Sequence, residues 1–221
     1  MKIEFGPSLW QKDPLLIPKD IDDCWVVAAL QVARAVGAAI AGITIPVFRK
    51  AANRPDNPQV SNPGGAADVI RGLNKLWPKL RVSQSSRVWV TYRASLVKQG
   101  KVSILMVLSD KLTTEHQYGF KGPKSWHAIS VRYVAGTFYG VNPLQPKGTK
   151  ADRYSESELK AAAEAYPNGV QAVLVLPALA PVPPTLPADP TPFSQDDLDD
   201  AEEEGRINGI QEAIDALEKL I

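Results

Sequence analysis

The sequence predicts an α+β domain, helices first and an antiparallel sheet after them, with a helical tail appended. Three observations point there. Residues 23 to about 41 form an Ala- and Val-rich run whose polar breaks after Cys24 are Gln31 and Arg34, the composition of a largely buried helix. From Arg87 the period changes to that of strands, and two of the later apolar segments flank Ala135-Gly136 as the arms of a hairpin do. From Pro177 to Pro192 there are seven prolines, which close the domain with a semi-rigid linker. Helices followed by strands are the element pattern of an α+β fold.

Each element has its own warrant. Pro7, Pro14 and Pro18 punctuate the entry segment, and Asp22 or Asp23 can N-cap the first helix, whose first turn then holds Cys24. Asn53 to Gly65, dense in Asn and Pro and ending in Pro63-Gly64-Gly65, is a loop. A helix from about Ala66 to Trp77 places Val69, Ile70, Leu73, Leu76 and Trp77 on one face before Pro78 stops it. Arg87 to Tyr92 alternates like a half-buried strand, Ser95 to Gln99 is a short helix ending at Gly100, and Val102 to Leu108 is a buried strand. Trp126 to Val134 and Thr137 to Asn142 are the hairpin strands. Ser155 to Tyr166 is a helix with Glu158 at capping-box spacing from Ser155, and Val170 to Leu176 is the last strand.

These elements give a domain over residues 1–177, a linker over 178–193 and an acidic amphipathic helix over 194–221. Ser194 caps that helix, and Asp196, Asp197, Asp199 and Asp200 complement its dipole. Ile207, Ile210, Ile214, Leu217 and Ile221 follow the spacing of a coiled-coil seam, which needs a partner: another protein, another copy, or the domain itself.

Charge divides unevenly. From Asp189 to Ile221 eleven acidic residues stand against Arg206 and Lys219, a net of −9, so the first 188 residues carry +10 of the chain's +1. A basic body is drawn to polyanions. No basic cluster is interleaved with aromatics, so a nucleic-acid partner is not expected. No run reaches the roughly 18 apolar residues of a membrane span. The N-terminal residues carry no signal-peptide pattern, so synthesis in the cytoplasm is expected.

Cys24 is the only cysteine, so it makes no intrachain disulfide and, alone, no thiolate metal site. A buried hydrophobe, an inert thiol and a nucleophile remain. Position favours the nucleophile, because the first turn of a helix offers backbone N–H groups and the positive dipole end to a thiolate. Asp22 and Asp23 oppose this, since like charge disfavours the thiolate. A base must come from elsewhere, and there are two histidines. His116 lies in a polar segment between strands; His127 heads the apolar strand Trp126-His127-Ala128-Ile129. Pairing of residues 126–134 with 137–142 brings His127 and Asn142 to one end of the ribbon. Asn142 can then accept from one imidazole nitrogen while the other faces Cys24, the nucleophile–base–orienter logic of acyl transfer.

Cysteine at the start of a long N-terminal helix, then His-Ala-hydrophobic on a strand, then Asn142-Pro143 ending the next strand, resembles the papain-like cysteine peptidase superfamily. The compact spacing is most similar to the branch that trims leader peptides after double-glycine sites and its relatives in bacteria and phages. Leu96 to Ile104 also resembles that branch's short helix, glycine and strand before the histidine strand. The resemblance spans roughly residues 15 to 177. It implies a papain-like fold in which Cys24 is the nucleophile, His127 the base and Asn142 the orienting group, with no cofactor and no metal. The oxyanion donor of that family is a glutamine about six residues before the cysteine; Pro18 stands there, and Gln11 is the candidate in its place. Such a donor contributes about 3 kcal/mol to transition-state stabilisation.

Two functions follow as expectations. One is a cysteine peptidase or amidase acting on a peptide or peptidoglycan, delivered to a cell wall, with the tail docking to another protein or another copy. The other is a structural component of a larger assembly, such as a virion or tail protein, that keeps the fold without turnover; Pro18 and the tail seam favour it.

Overall fold

A computed structural model describes residues 5, 8–9, 23–54, 64–98, 101–118 and 126–176, all within one unit, Met1–Leu179. The expected linker and tail helix lie outside the described residues, as do Gln11, Pro18 and Asp22. The helices are α1 (Cys24–Ala35), α2 (Ile45–Ala51), α3 (Ala66–Leu76), α4 (Trp89–Lys98) and α5 (Glu156–Glu164). The strands are β1 (Arg81–Gln84), β2 (Val102–Leu108), β3 (Trp126–Val134), β4 (Thr137–Val141), β5 (Asp152–Tyr154) and β6 (Gln171–Leu176).

The strands form one sheet in the order β1-β6-β2-β3-β4-β5, and every neighbouring pair is antiparallel. Helices cover both faces. Val102, Ile104, Met106, Ala128, Val173 and Val175 pack with α1, α2 and α3. Leu105, Val107, Ile129, Val131, Ala172 and Leu174 pack with Trp89, Tyr92 and Leu96 of α4 and Leu159, Ala162 and Ala163 of α5. Burial on two faces is why β2, apart from Ser103, and β6, after Gln171, are apolar runs rather than alternating ones. Among the described residues no helix is long and apolar enough to cross a membrane.

The α+β class, the hairpin and the positions of β2, β3 and β6 match the expectation; other details differ. Arg87 to Tyr92 is not a strand. Trp89, Tyr92 and Leu96 are buried at helical spacing while Val88 and Val90 are 58% and 70% exposed, so packing of the larger side chains overrides the β-branched pattern. The first helix ends at Ala35, six residues early, in a Schellman motif. Gly37 takes a left-handed φ of 83°, its N–H bonds the Arg34 carbonyl at 3.0 Å, and Ala38 N–H bonds that of Ala33 at 2.9 Å. Helix α2 and the polar edge strands β1 and β5 were not expected; Thr44 and the proline in the first turn of α2 are its start signal.

Side chains of Ser130 and Gln31 tie α1 to its surroundings. The buried Ser130 hydroxyl of β3 donates to the Ala28 carbonyl at 3.0 Å. Buried Gln31 accepts the Leu9 N–H and Arg34 Nη2, each at 3.0 Å.

Candidate active site

Cys24 is the first residue of α1 and is 8% exposed. Asp23 occupies the N-cap position, yet its side chain makes no capping bond, which corrects that alternative; Asp22, the other, lies outside the described residues. Its Oδ1 instead accepts from Arg49 Nε of α2 at 2.6 Å and lies 2.6 Å from Nη2, with both side chains buried. A buried carboxylate is tolerable when paired in this way. The pairing also neutralises the charge that Asp23 would otherwise set beside the thiol. Trp25, on the other side of Cys24, meets Phe48 edge-on at 5.8 Å and has the Arg49 guanidinium over its ring at 5.7 Å. The unforeseen α2 therefore braces both neighbours of the cysteine.

His127 is the second residue of β3 and is buried, as is Asn142, the residue after β4. His127 Nε2 and Asn142 Oδ1 are 2.8 Å apart. The orientation of the amide is over-determined. Its Oδ1 also accepts the Leu144 N–H at 2.9 Å, and its Nδ2 donates to the His116 carbonyl at 2.9 Å. An oxygen bound to a backbone donor must face His127, so Nε2 carries the hydrogen and, in the neutral ring, Nδ1 is the basic atom. The backbone of Asn142 is closed by Gln145, whose Oε1 accepts Asn142 N–H at 3.2 Å and whose own N–H bonds the Asn142 carbonyl at 2.9 Å. Burial holds His127 down at about 4, and the Asn142 bond pushes the other way. The ring is thus uncharged over the neutral range, in the form that accepts a proton.

Cys24 and His127 line one pocket, together with Trp25, Gly64, Trp126 and Tyr166. A Cβ on Gly64 would stand within hard-contact distance of the Trp25 ring, so only glycine lets the backbone at position 64 lie on the indole. Trp126, 54% exposed, tilts against Tyr166 at a ring distance of 5.7 Å and forms the outer wall. Burial, and next the charge of nearby Cys24, hold the Tyr166 phenol protonated above its ordinary range. Of the four residues singled out from sequence, three are thereby accounted for: Cys24 and His127 share a pocket, and His127 is bonded to Asn142. Gln11 lies outside the described residues.

Sequence reasoning passes over Arg49, Gln145, Tyr166 and the structural part played by His116. Arg49 and Tyr166 have no readable signal, because their partners are set by tertiary packing. Gln145 has a faint one, lying three residues after Asn142 across Pro143.

A solved structure from Bacillus anthracis, described as a "putative C39-like peptidase", is similar to this chain with a TM-score of 0.53 and 12% identity. The match covers 80% of this chain and 98% of that one. At this identity the likeness is one of fold: the chain has the C39-peptidase-like, papain-like architecture. No protein-family model and no curated protein matches the sequence.

Proposed function

We propose that this domain is a cysteine peptidase or amidase in which Cys24 attacks, His127 transfers the proton and Asn142 orients the imidazole. The observation that carries the reading is the pinned Asn142 amide. It fixes the hydrogen on His127 Nε2 and leaves the basic Nδ1 for a pocket that Cys24 also lines. Nδ1 takes the thiol proton as sulfur forms a bond to the substrate carbonyl carbon. The tetrahedral adduct collapses by breaking the C–N bond, and the imidazolium gives its proton to the departing amine, leaving a thioester on Cys24. Water, deprotonated by the same Nδ1, then attacks the thioester and releases the acid and the free thiol.

The substrate class is a peptide or amide, and a basic body of +10 suits one attached to an anionic polymer such as a cell wall. The segment 194–221, with its Ile207–Ile221 seam, is the docking element for another protein or a second copy. Cys24→Ala is expected to abolish thiol-dependent hydrolysis of peptide and peptidoglycan libraries while leaving the unfolding transition in place. Hydrolysis that persists unchanged in that variant removes Cys24 from the mechanism.

A second reading, a structural component without turnover, is favoured by Pro18, which supplies neither a side-chain amide nor a backbone N–H. Ordinary thiol behaviour of Cys24 toward electrophiles at mildly acidic pH, combined with no hydrolysis, would decide for it.

A further inference from the structure

We propose that His116 and Glu158 are a positioning pair for Asn142. The inference rests on the reading of Cys24, His127 and Asn142 above and adds the residues that hold the orienting amide in place. Two of the groups that fix Asn142, Leu144 N–H and Gln145, come from its own turn. The Nδ2 group reaches a distant segment instead: it bonds the His116 carbonyl, on a 3₁₀ turn over Thr114–Gln117. Such a turn is too short and too weakly bonded to hold its own position. It is held from outside. Glu158 Oε1 of α5 accepts the Thr113 N–H and His116 Nδ1, each at 2.8 Å, and the side chains of His116 and Glu158 are only 9% and 7% exposed.

Helix capping does not account for Glu158. Ser155 Oγ accepts the Glu158 N–H at 3.1 Å, the first half of a capping box, but the carboxylate turns away to the 3₁₀ turn instead of completing the box. The His116 ring lies flat on Tyr154 at 4.0 Å and 28°, and Gly140 makes room for that tyrosine, since a Cβ there would come within 2.6 Å of its ring. A buried, charge-assisted bond, a stacked ring and a strand glycine thus converge on one backbone carbonyl, which fixes the amide that sets the His127 tautomer.

Cys24 is the one thiol of this 221-residue chain, so iodoacetamide labelling of the chain reports on it alone. In the wild type the labelling rate at pH 6 is expected to exceed that of a His127→Ala variant, whose thiol has lost the imidazole that takes its proton. His116→Ala is expected to slow labelling at pH 6 by about tenfold, the low end for losing an outer partner of an oriented histidine. His116→Asn, which keeps a donor where Nδ1 stood, is expected to restore most of the rate. In an Asn142→Ala background His116→Ala is expected to change nothing further, which a general loosening of the fold would not produce. Glu158→Gln, which preserves shape, takes the place of His116→Ala if the latter fails to fold, with the same slowing and the same dependence on Asn142.

Wild-type labelling rates in the His116 or Glu158 variants, or equal slowing with and without Asn142, overturn the positioning role. A wild-type rate at pH 6 no faster than that of His127→Ala marks a thiol that the imidazole does not assist. That outcome overturns the reading of Cys24 and His127, and the positioning role with it.

Discussion

Arg49 of α2 and Asp23, the residue immediately before Cys24, form an ion pair with Nε and Oδ1 2.6 Å apart and side chains 1% and 0% exposed. The pair ties α2 to the entry of α1, and it sits where an uncompensated carboxylate would oppose a thiolate. Arg49→Met removes one charge and leaves the other buried, a loss of about 3–5 kcal/mol. Urea unfolding followed by tryptophan fluorescence checks this. Adding Asp23→Asn to Arg49→Met is expected to recover part of the loss, because no net charge then remains in the core. A neutral Arg49→Met would show that Asp23 finds solvent in the native state.

The Trp25 ring constrains position 64 from the other side. The constraint at Gly64 is space rather than backbone conformation: a methyl group there would overlap rigid indole atoms that Phe48 and Arg49 already enclose. Gly64→Ala is expected to destabilise by about 1–3 kcal/mol, the cost of overpacking. Near-UV circular dichroism should also change as the indole shifts. An unchanged spectrum with unchanged stability would mean that position 64 is not held against the indole.

Ser130 carries a different load. Its hydroxyl, buried between β3 and α1, donates to the Ala28 carbonyl at 3.0 Å, one helical turn from Cys24 and three residues from His127. This bond sets the spacing of the helix that carries the thiol and the strand that carries the imidazole. Ser130→Ala is expected to cost about 1 kcal/mol, the net worth of a hydrogen bond. Iodoacetamide labelling of Cys24 at pH 6 is expected to slow with it. A variant that loses stability without slowing would show that α1 keeps its place through apolar packing alone.

How much of the fold and site is legible in the sequence depends on the range of the interaction. Cys24 at a helix start, His127 on a strand and Asn142 at a strand end follow from local pattern and one hairpin turn at Ala135-Gly136, whose residues take φ of 48° and 85°. The start of α4, Trp89–Tyr92, reads as a strand because Val88 and Val90, the residues that suggest one, face solvent, while the informative residues are Trp89, Tyr92 and Leu96; its end, Ser95–Lys98, reads as the helix it is. The Asp23–Arg49 and His116–Glu158 pairs join residues 26 and 42 positions apart, and no spacing rule announces a contact of that kind. The fate of Asp23 shows the same limit: an aspartate at an N-cap position is the strongest local signal for capping, and a distant arginine overrides it.

The last consequence concerns acid. His127 titrates at about 4 in the folded domain against an ordinary value of 6.5, because burial disfavours the imidazolium more than the Asn142 bond favours it. The unfolded chain therefore takes up a proton at this residue below pH 6.5 that the folded chain refuses until about pH 4. The contribution of neutral His127 to stability is complete above pH 6.5, falls as the pH drops toward 4, and changes no further below that. Over the window the loss is about 3 kcal/mol. His127→Gln keeps an N–H for Asn142 Oδ1 but cannot titrate, so the stability of the wild type relative to this variant should fall by that amount between pH 7 and pH 4. Urea unfolding of both proteins across the range measures the difference. Parallel curves would mean that His127 charges freely in the folded state and that its imidazole is not held neutral at the pocket.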